Sequence, residues 1–377
     1  MARTPSPVRG TRGLPGMFVF VAVRVDSDPR RHLTKYGVRV LSLRSMQFTR
    51  SRTFWLWLLI LLFFSASIRF ESAASTDVPA SASWVQLFPT NSPPARSYLA
   101  MTYDEASGKI IMFGGDNGTT YLNDTWAFDG FTWTQVATDT PPPPRAVAQM
   151  AYDSVTHKVV LFGGFDGRNY LGETWLWDGR RSQWRRVRTA HSPTPVTGPM
   201  LFSDPNGRID LFGGFDGHFY QLAMWQWIGS DWTQLFPATV PYARGSAAVA
   251  INPRIDQVVL FGGLGDVNPN NTWTYDGTTW TLRSPVTQPP LVYAASAAFD
   301  PGVNAVILFG GGSGGVDQNT TWRWLVATGD WRQVATTQSP PPREGAGMAY
   351  LPALGNLIVF GGQDSETPLD DTWQFMP

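Results

Sequence analysis

Cysteine is absent from the 377 residues, and histidine occurs only four times, at His32, His157, His191 and His218. Disulfides, thiolate metal centres and thiol nucleophiles are therefore excluded. The scattered histidines match no zinc-ligand spacing, and no metal or cofactor is expected. A long apolar run is missing too. The apolar stretch FWLWLLILLFF, Phe54 to Phe64, has eleven residues, and at 1.5 Å per residue it reaches only about 17 Å of a ~30 Å hydrocarbon core. Net charge is lacking overall, since Lys+Arg and Asp+Glu both number 29, but residues 1–71 carry 12 basic and 3 acidic side chains. Residues 72–377 hold the other 17 basic and 26 acidic, a net charge of −9. A body of that sign is a poor match for nucleic acid, and no nucleic-acid partner is expected. What is abundant is Gly (37), Pro (30) and Trp (17). Punctuation this dense argues against a helical protein and for an all-β chain of short strands and turns.

The apolar run follows Arg50 and Arg52 and precedes the small residues Ser65-Ala66-Ser67 and Ser72-Ala73-Ala74. That order is the secretory-signal pattern of basic, apolar and small-residue regions. A start at Met46 would give it the usual short basic n-region, leaving 1–45 as an untranslated lead. In the other reading the leading residues are a cytoplasmic tail and the run is an uncleaved anchor. The expected organisation is a basic extension over 1–53, a signal h-region or anchor over 54–70, a linker over 71–83, and a folded body over 84–377. Either reading places that body in a secreted or extracytoplasmic location.

The body is repetitive. An apolar run ending in Gly-Gly recurs six times, with its second glycine at Gly115, Gly164, Gly214, Gly263, Gly311 and Gly362, at intervals of 49, 50, 49, 48 and 51 residues. A tryptophan follows ten or eleven residues later in every copy: Trp126, Trp175, Trp225, Trp273, Trp322 and Trp373. A second comes seven or nine residues after that in five copies: Trp133, Trp184, Trp232, Trp280 and Trp331. Each unit reads as four short strands separated by turns such as Asp129-Gly130, Asp178-Gly179 and Asp276-Gly277, dipeptides suited to tight hairpins. Proline tracts such as 141–144 and 340–342 join the units as stiff spacers.

The apolar run, the Gly-Gly pair, the aromatic-Asp step (Phe128-Asp129, Trp177-Asp178, Tyr275-Asp276) and the trailing Trp resemble kelch repeats over 84–377. The resemblance implies a six-bladed β-propeller, one four-stranded blade per repeat. The sixth copy ends after its third strand, whereas the segment from Ser83 to Pro89 copies the fourth-strand sequence from Asp231 to Pro237 almost letter for letter. The N-terminal strand is therefore expected to complete the last blade and close the ring, hiding sheet edges that invite aggregation. A monomeric propeller is expected.

The repeat-register tryptophans read as packing between sheets, and aromatics off the register, Phe165, Phe215, Phe219 and Tyr170, as candidates for ligand contact. Four units carry an arginine after the prolines: Arg96, Arg145, Arg244 and Arg343, with Val196 and Val292 in the other two. The resemblance implies that these arginines ring one mouth of a central channel, on the face where the post-Gly-Gly loops bring Asp116, Asp166, Asp216, Asp364 and His218. One reading has the set bind an anionic or polyhydroxylated ligand through guanidinium contacts. The other has each arginine pair with a loop aspartate and latch blade to blade. Gly-Phe-Asp-Gly at 164–167 and 214–217 offers too few oxygens for calcium. Arg180, Arg181, Arg185, Arg186 and Arg188 form an edge guard or a partner patch.

The expected function is a binding module for a protein or glycan ligand acting through the Arg/Asp loop face. The alternative is a cofactor-free sugar mutarotase or lyase similar to the sialic acid mutarotase-like kelch proteins, with Glu344 or Glu173 as the acid or base. Galactose oxidase-like copper chemistry needs a cysteine that the chain lacks.

Overall fold

A computed structural model describes residues 82–267 and 269–377. The expected extension (1–53), signal or anchor (54–70) and most of the linker lie outside the described residues. Every regular element among the described residues is a β-strand. They form six four-stranded antiparallel sheets, supplemented by three short ribbons. Blade 1 contains Ala100–Asp104, Lys109–Asp116, Tyr121–Phe128 and Trp133–Val136, hydrogen-bonded in chain order. Blades 2 to 5 repeat that order over 149–187, 200–235, 248–283 and 296–334. Blade 6 takes Gly347–Leu351, Asn356–Phe360 and Thr372–Met376, and its outermost strand is Ser83–Leu87. In that outer pairing Trp84 lies opposite Phe375 and Gln86 opposite Trp373. The first strands of the six blades are neighbours in cyclic order, blade 6 returning to blade 1, around a central channel that all six line. The molecule is a six-bladed β-propeller.

The second strands are buried almost throughout, as at Ile110 to Phe113 and Val159 to Phe162. A blade covered on both faces has no solvent side, so these strands read as continuous apolar runs instead of alternating ones. Each run ends in Gly-Gly because the next segment passes too close for a side chain. A Cβ on Gly114 would lie 2.6 Å from the Arg145 carbonyl oxygen, and one on Gly115 would lie 2.8 Å from that of Ser97. Both glycines also have positive φ, 66° and 107°, which other residues adopt at a cost. At the opposite end of the second strand the turn is capped by a buried Asp or Asn. Asp104, Asp153, Asp204, Asn252 and Asp300 each accept from the backbone N–H two residues on.

The core is divided into six apolar clusters, one in each interface between neighbouring blades. A repeated hydrogen bond crosses every interface. The indole N–H of the fourth-strand tryptophan donates to the threonine just before the repeat tryptophan in the third strand of the preceding blade: Trp133 to Thr372, Trp184 to Thr125, Trp232 to Thr174, Trp331 to Thr272 and Trp84 to Thr321, at 2.8–3.1 Å. Trp280 meets Met224 Sδ instead, at 3.4 Å. A buried indole thereby loses no hydrogen bond on leaving water, and its large apolar area is gained in full.

The channel narrows toward the Gly-Gly end. There Tyr98, Val147, Gly198, Ser246, Ala294 and Gly345, one per blade, all have φ between 49° and 63°. Each donates its backbone N–H to the carbonyl of its counterpart in the preceding blade, at 2.7–2.9 Å, so the six bonds form a complete circle. The left-handed conformation turns each peptide sideways to reach its neighbour, and four non-glycine residues bear the cost of that conformation.

Candidate functional site

The four arginines lie buried, not open on the loop face. Arg96, Arg145, Arg244 and Arg343 are at most 1% exposed, beneath the loop face. Each guanidinium bonds to the carbonyl of the first Gly-Gly residue of its own blade: Gly114, Gly163, Gly262 and Gly361, at 2.9–3.1 Å. It also reaches the side chain two positions before the repeat tryptophan. Arg96 meets Asp124 through both Nη atoms (2.6 and 2.9 Å), and Arg343 meets Asp371 likewise (2.6 and 2.8 Å). Arg145 meets Glu173 at 3.2 Å, and Arg244 meets Asn271 at 3.0 Å.

The backbone of each arginine, meanwhile, belongs to the blade before. The Arg145 N–H donates to the Leu122 carbonyl (3.0 Å) and its own carbonyl accepts from Gly115 (2.9 Å), both in blade 1. Arg96 and Arg343 repeat both contacts with blades 6 and 5, and the Arg244 carbonyl accepts from Gly214 of blade 3. The arginines are thus staples between consecutive blades, but their carboxylate partners are not the loop aspartates that the sequence suggested.

Electrostatics follow the partners. Burial alone would raise Asp124 and Asp371, but the hydrogen bonds and charges of Arg96 and Arg343 outweigh it and hold both carboxyls below their usual range. Trp126 and Trp373 add a 2.7 Å bond each to the second carboxylate oxygen. Blade 4 has no carboxylate at this place, and burial pushes Arg244 down to about 10. Its Nη2 and the Trp273 indole N–H are both buried without a partner.

The loop aspartates cap their own turns above the staples. Asp166 accepts from the backbone N–H groups of Arg168 and Asn169 at 2.8 and 2.6 Å, and Asp216 from those of His218 and Phe219 at 2.7 Å. Asp116 accepts from Gly118 at 2.8 Å, and Asp364 from the Ser365 hydroxyl at 3.1 Å. The Phe219 and His218 amides hold Asp216 below the usual carboxylate range, and for Asp166 the Asn169 amide overcomes the opposing effect of burial. His218 is exposed. The structure therefore gathers the aspartates and His218 on the loop face and separates them from the arginines.

The off-register aromatics are brought together. Tyr121, Phe165, Tyr170, Phe215 and Tyr220 form a continuous ladder across blades 1 to 3, ring centroids 5.0–6.0 Å apart. Tyr121 covers Gly167 and Tyr170 covers Gly217, where a Cβ would come within 2.8 and 2.5 Å of the ring. Beyond the ladder, Phe219 (69% exposed), Leu222, Tyr242, Leu264 and Val267 stand in solvent on the loops of blades 3 and 4.

Glu173 is engaged by Arg145 as described. Glu344 accepts from the Tyr98 hydroxyl and from Gln363 Nε2 (3.1 Å); burial and then the Glu344 carboxylate raise the Tyr98 and Tyr293 hydroxyls.

The model of the KLHDC2/KLHL20/DRC7 Kelch-repeats domain matches the chain over residues 75–238 and again over 229–377. No curated protein matches it. Six blades built on one repeated strand pattern, each ending its second strand in Gly-Gly, and a family model spanning all of them place this chain in the Kelch-repeat family.

Proposed function

We infer that the protein is a binding module whose ligand is another protein, held on the Gly-Gly loop face. Kelch propellers are commonly protein-binding modules. The observation carrying the reading here is the set of exposed apolar side chains on the loops of blades 3 and 4, with Phe219 at 69%, Val267 at 57%, Tyr242 at 55% and Leu222 at 53% exposed. Exposed aromatics beside satisfied polar groups are the composition of a protein-interface core with its rim. The ladder packs against the blade 3 loop through Phe215 and Tyr220, and a loop ordered beforehand lowers the cost of binding. The Asp166 and Asp216 carboxylates, fixed by their own turns, supply a negative rim. A glycan is the second ligand class, favoured by the polar atoms of the same loops. The secretory pattern at 50–74 supports an extracytoplasmic setting for the interaction.

Selection of a displayed random-peptide library, run beside a glycan array, tests the reading. A peptide consensus retained by the wild-type chain and lost on a Phe219→Ala, Val267→Asp variant of unchanged melting temperature is the expected outcome. Enrichment of glycans alone would move the proposal to the second ligand class. A consensus indifferent to those substitutions would refute the loop-face assignment.

A further inference from the structure

The face opposite the Gly-Gly loops holds a separate feature, the wide end of the central channel. The channel encloses about 460 Å³ and is lined by the first strand of every blade. Toward the loop face it shrinks to a space of about 50 Å³ beneath the circle of backbone hydrogen bonds. It is a funnel, constricted at one end and open at the other. Its volume falls within the ~300–1,000 Å³ typical of small-molecule sites.

The lining changes along its length. The narrow end is walled by small side chains, Ala247, Ala295 and Ala346 among them, and the middle by Met101, Met150 and Met348. The wide mouth carries Tyr103, Tyr152, Phe299 and Tyr350. Among all the lining residues one is charged, Glu105, in the turn after the first strand of blade 1. Glu105 lines the same mouth as Tyr103 and Tyr152; burial and then the Glu105 charge raise both hydroxyls, with Arg180 opposing at Tyr152.

We propose that this funnel is a binding site for a small amphiphilic cation, its alkyl or ring portion in the methionine- and alanine-lined channel and its ammonium group at the mouth, beside Glu105 and the tyrosines. The methionines, buried for the most part in the inter-blade clusters, present only their edges to the channel beside Thr102, Gln149 and Ser296. A carboxylate flanked by aromatic rings favours an organic cation over an anion through charge and cation–π attraction. The site is independent of the loop-face reading, since it opens on the other side of the propeller.

Calorimetric titration of the full chain with octyltrimethylammonium, hexyltrimethylammonium and octyl sulfate, all below micelle formation, tests the proposal. The octyl cation should bind one per chain, about tenfold tighter than the hexyl cation, as expected for two further buried methylenes. Octyl sulfate should bind roughly tenfold more weakly than the octyl cation. Glu105→Gln should erase the preference for the cation while keeping the chain-length dependence. Ser203→Trp, at the mouth, should weaken every probe, with Ala297→Leu as the second obstruction should the first variant fail to fold. Phe219→Ala should leave all the affinities unchanged. Absence of saturable binding, equal affinity for the sulfate and the cation, or undiminished affinity in a folded obstructed variant would overturn the assignment.

Discussion

Substituting Asn271→Asp should stabilise the protein. Arg244 is buried like its three counterparts but faces an amide where Arg96 and Arg343 face a carboxylate. Two buried donors, Arg244 Nη2 and the Trp273 indole N–H, have no acceptor, and the equivalent indoles of Trp126 and Trp373 bond to the second carboxylate oxygen. The Asn271 side chain has only one oxygen, so the position that should accept from both donors carries an N–H₂ group. Burial lowers Arg244 from its ordinary value to about 10, and at ~1.4 kcal/mol per pH unit that drop is roughly 3 kcal/mol against folding. Counting the orphaned donors gives a similar figure, about 1–3 kcal/mol for each.

A carboxylate should recover about 2–3 kcal/mol, or about 5 °C in melting temperature for a body of this size. Thermal unfolding followed by circular dichroism reads the shift. The depressed folded-state value makes Arg244 costly at every pH below about 10 and progressively less so above it, so the advantage of the substitution should shrink as pH rises through about 10. The mirror substitution Asp371→Asn leaves Arg343 and Trp373 short of an acceptor and should cost about 3–5 kcal/mol. An unchanged or lower melting temperature in folded Asn271→Asp would show that Arg244 is not short of an acceptor.

Other outcomes follow from the same interfaces. Asp210 occupies a slot filled by Ile or Val in the other five blades and is fully buried. Burial pushes its carboxyl up from 3.8 to about 7, against the opposing bond from Gln226. The folded state keeps that proton where the unfolded chain has released it. Stability from this group is therefore complete below pH 3.8 and falls as pH rises toward 7. Asp210→Asn should gain more in melting temperature at pH 8 than at pH 5, and parallel curves would contradict the assignment. Trp84→Phe keeps most of the packing against Phe309 and Phe375 but loses the bond to Thr321, at a cost of about 1 kcal/mol. Trp84→Ala should cost about 3–5 kcal/mol, measured by denaturant titration; equal losses in the two variants would show that the ring does not pack as described.

The repeats made the blade count legible, because a residue needed in every interface must recur once per blade. The partners of those residues were harder to read, since they lie in neighbouring blades or far along the same one. The arginines illustrate this. Their acceptors sit 27 or 28 positions downstream, past the loop aspartates that looked closer. A signal did exist: units with arginine carry Asp124, Glu173, Asn271 or Asp371 two places before the repeat tryptophan, and units with Val196 or Val292 carry Ala223 or Thr320 there. The threonines that accept the indoles were equally visible as Thr-Trp pairs in five copies, but nothing within one repeat says that the donor belongs to the next blade. The circle of left-handed residues was not legible. Gly198 and Gly345 are ordinary signs of positive φ, whereas Tyr98, Val147, Ser246 and Ala294 adopt it only because the inter-blade bond compensates.

The pairing of Ser83–Leu87 with Thr372–Met376 is the seam that would hold the ring shut. The absence of native cysteine allows it to be tested directly by introducing Val85→Cys and Gln374→Cys, which face each other across the two strands. Mild oxidation of the native protein should give a quantitative intramolecular disulfide and a higher melting temperature, because the bond closes a loop of nearly the whole propeller. Two thiols that remain free and fully reactive in the folded protein would show that the leading strand lies elsewhere.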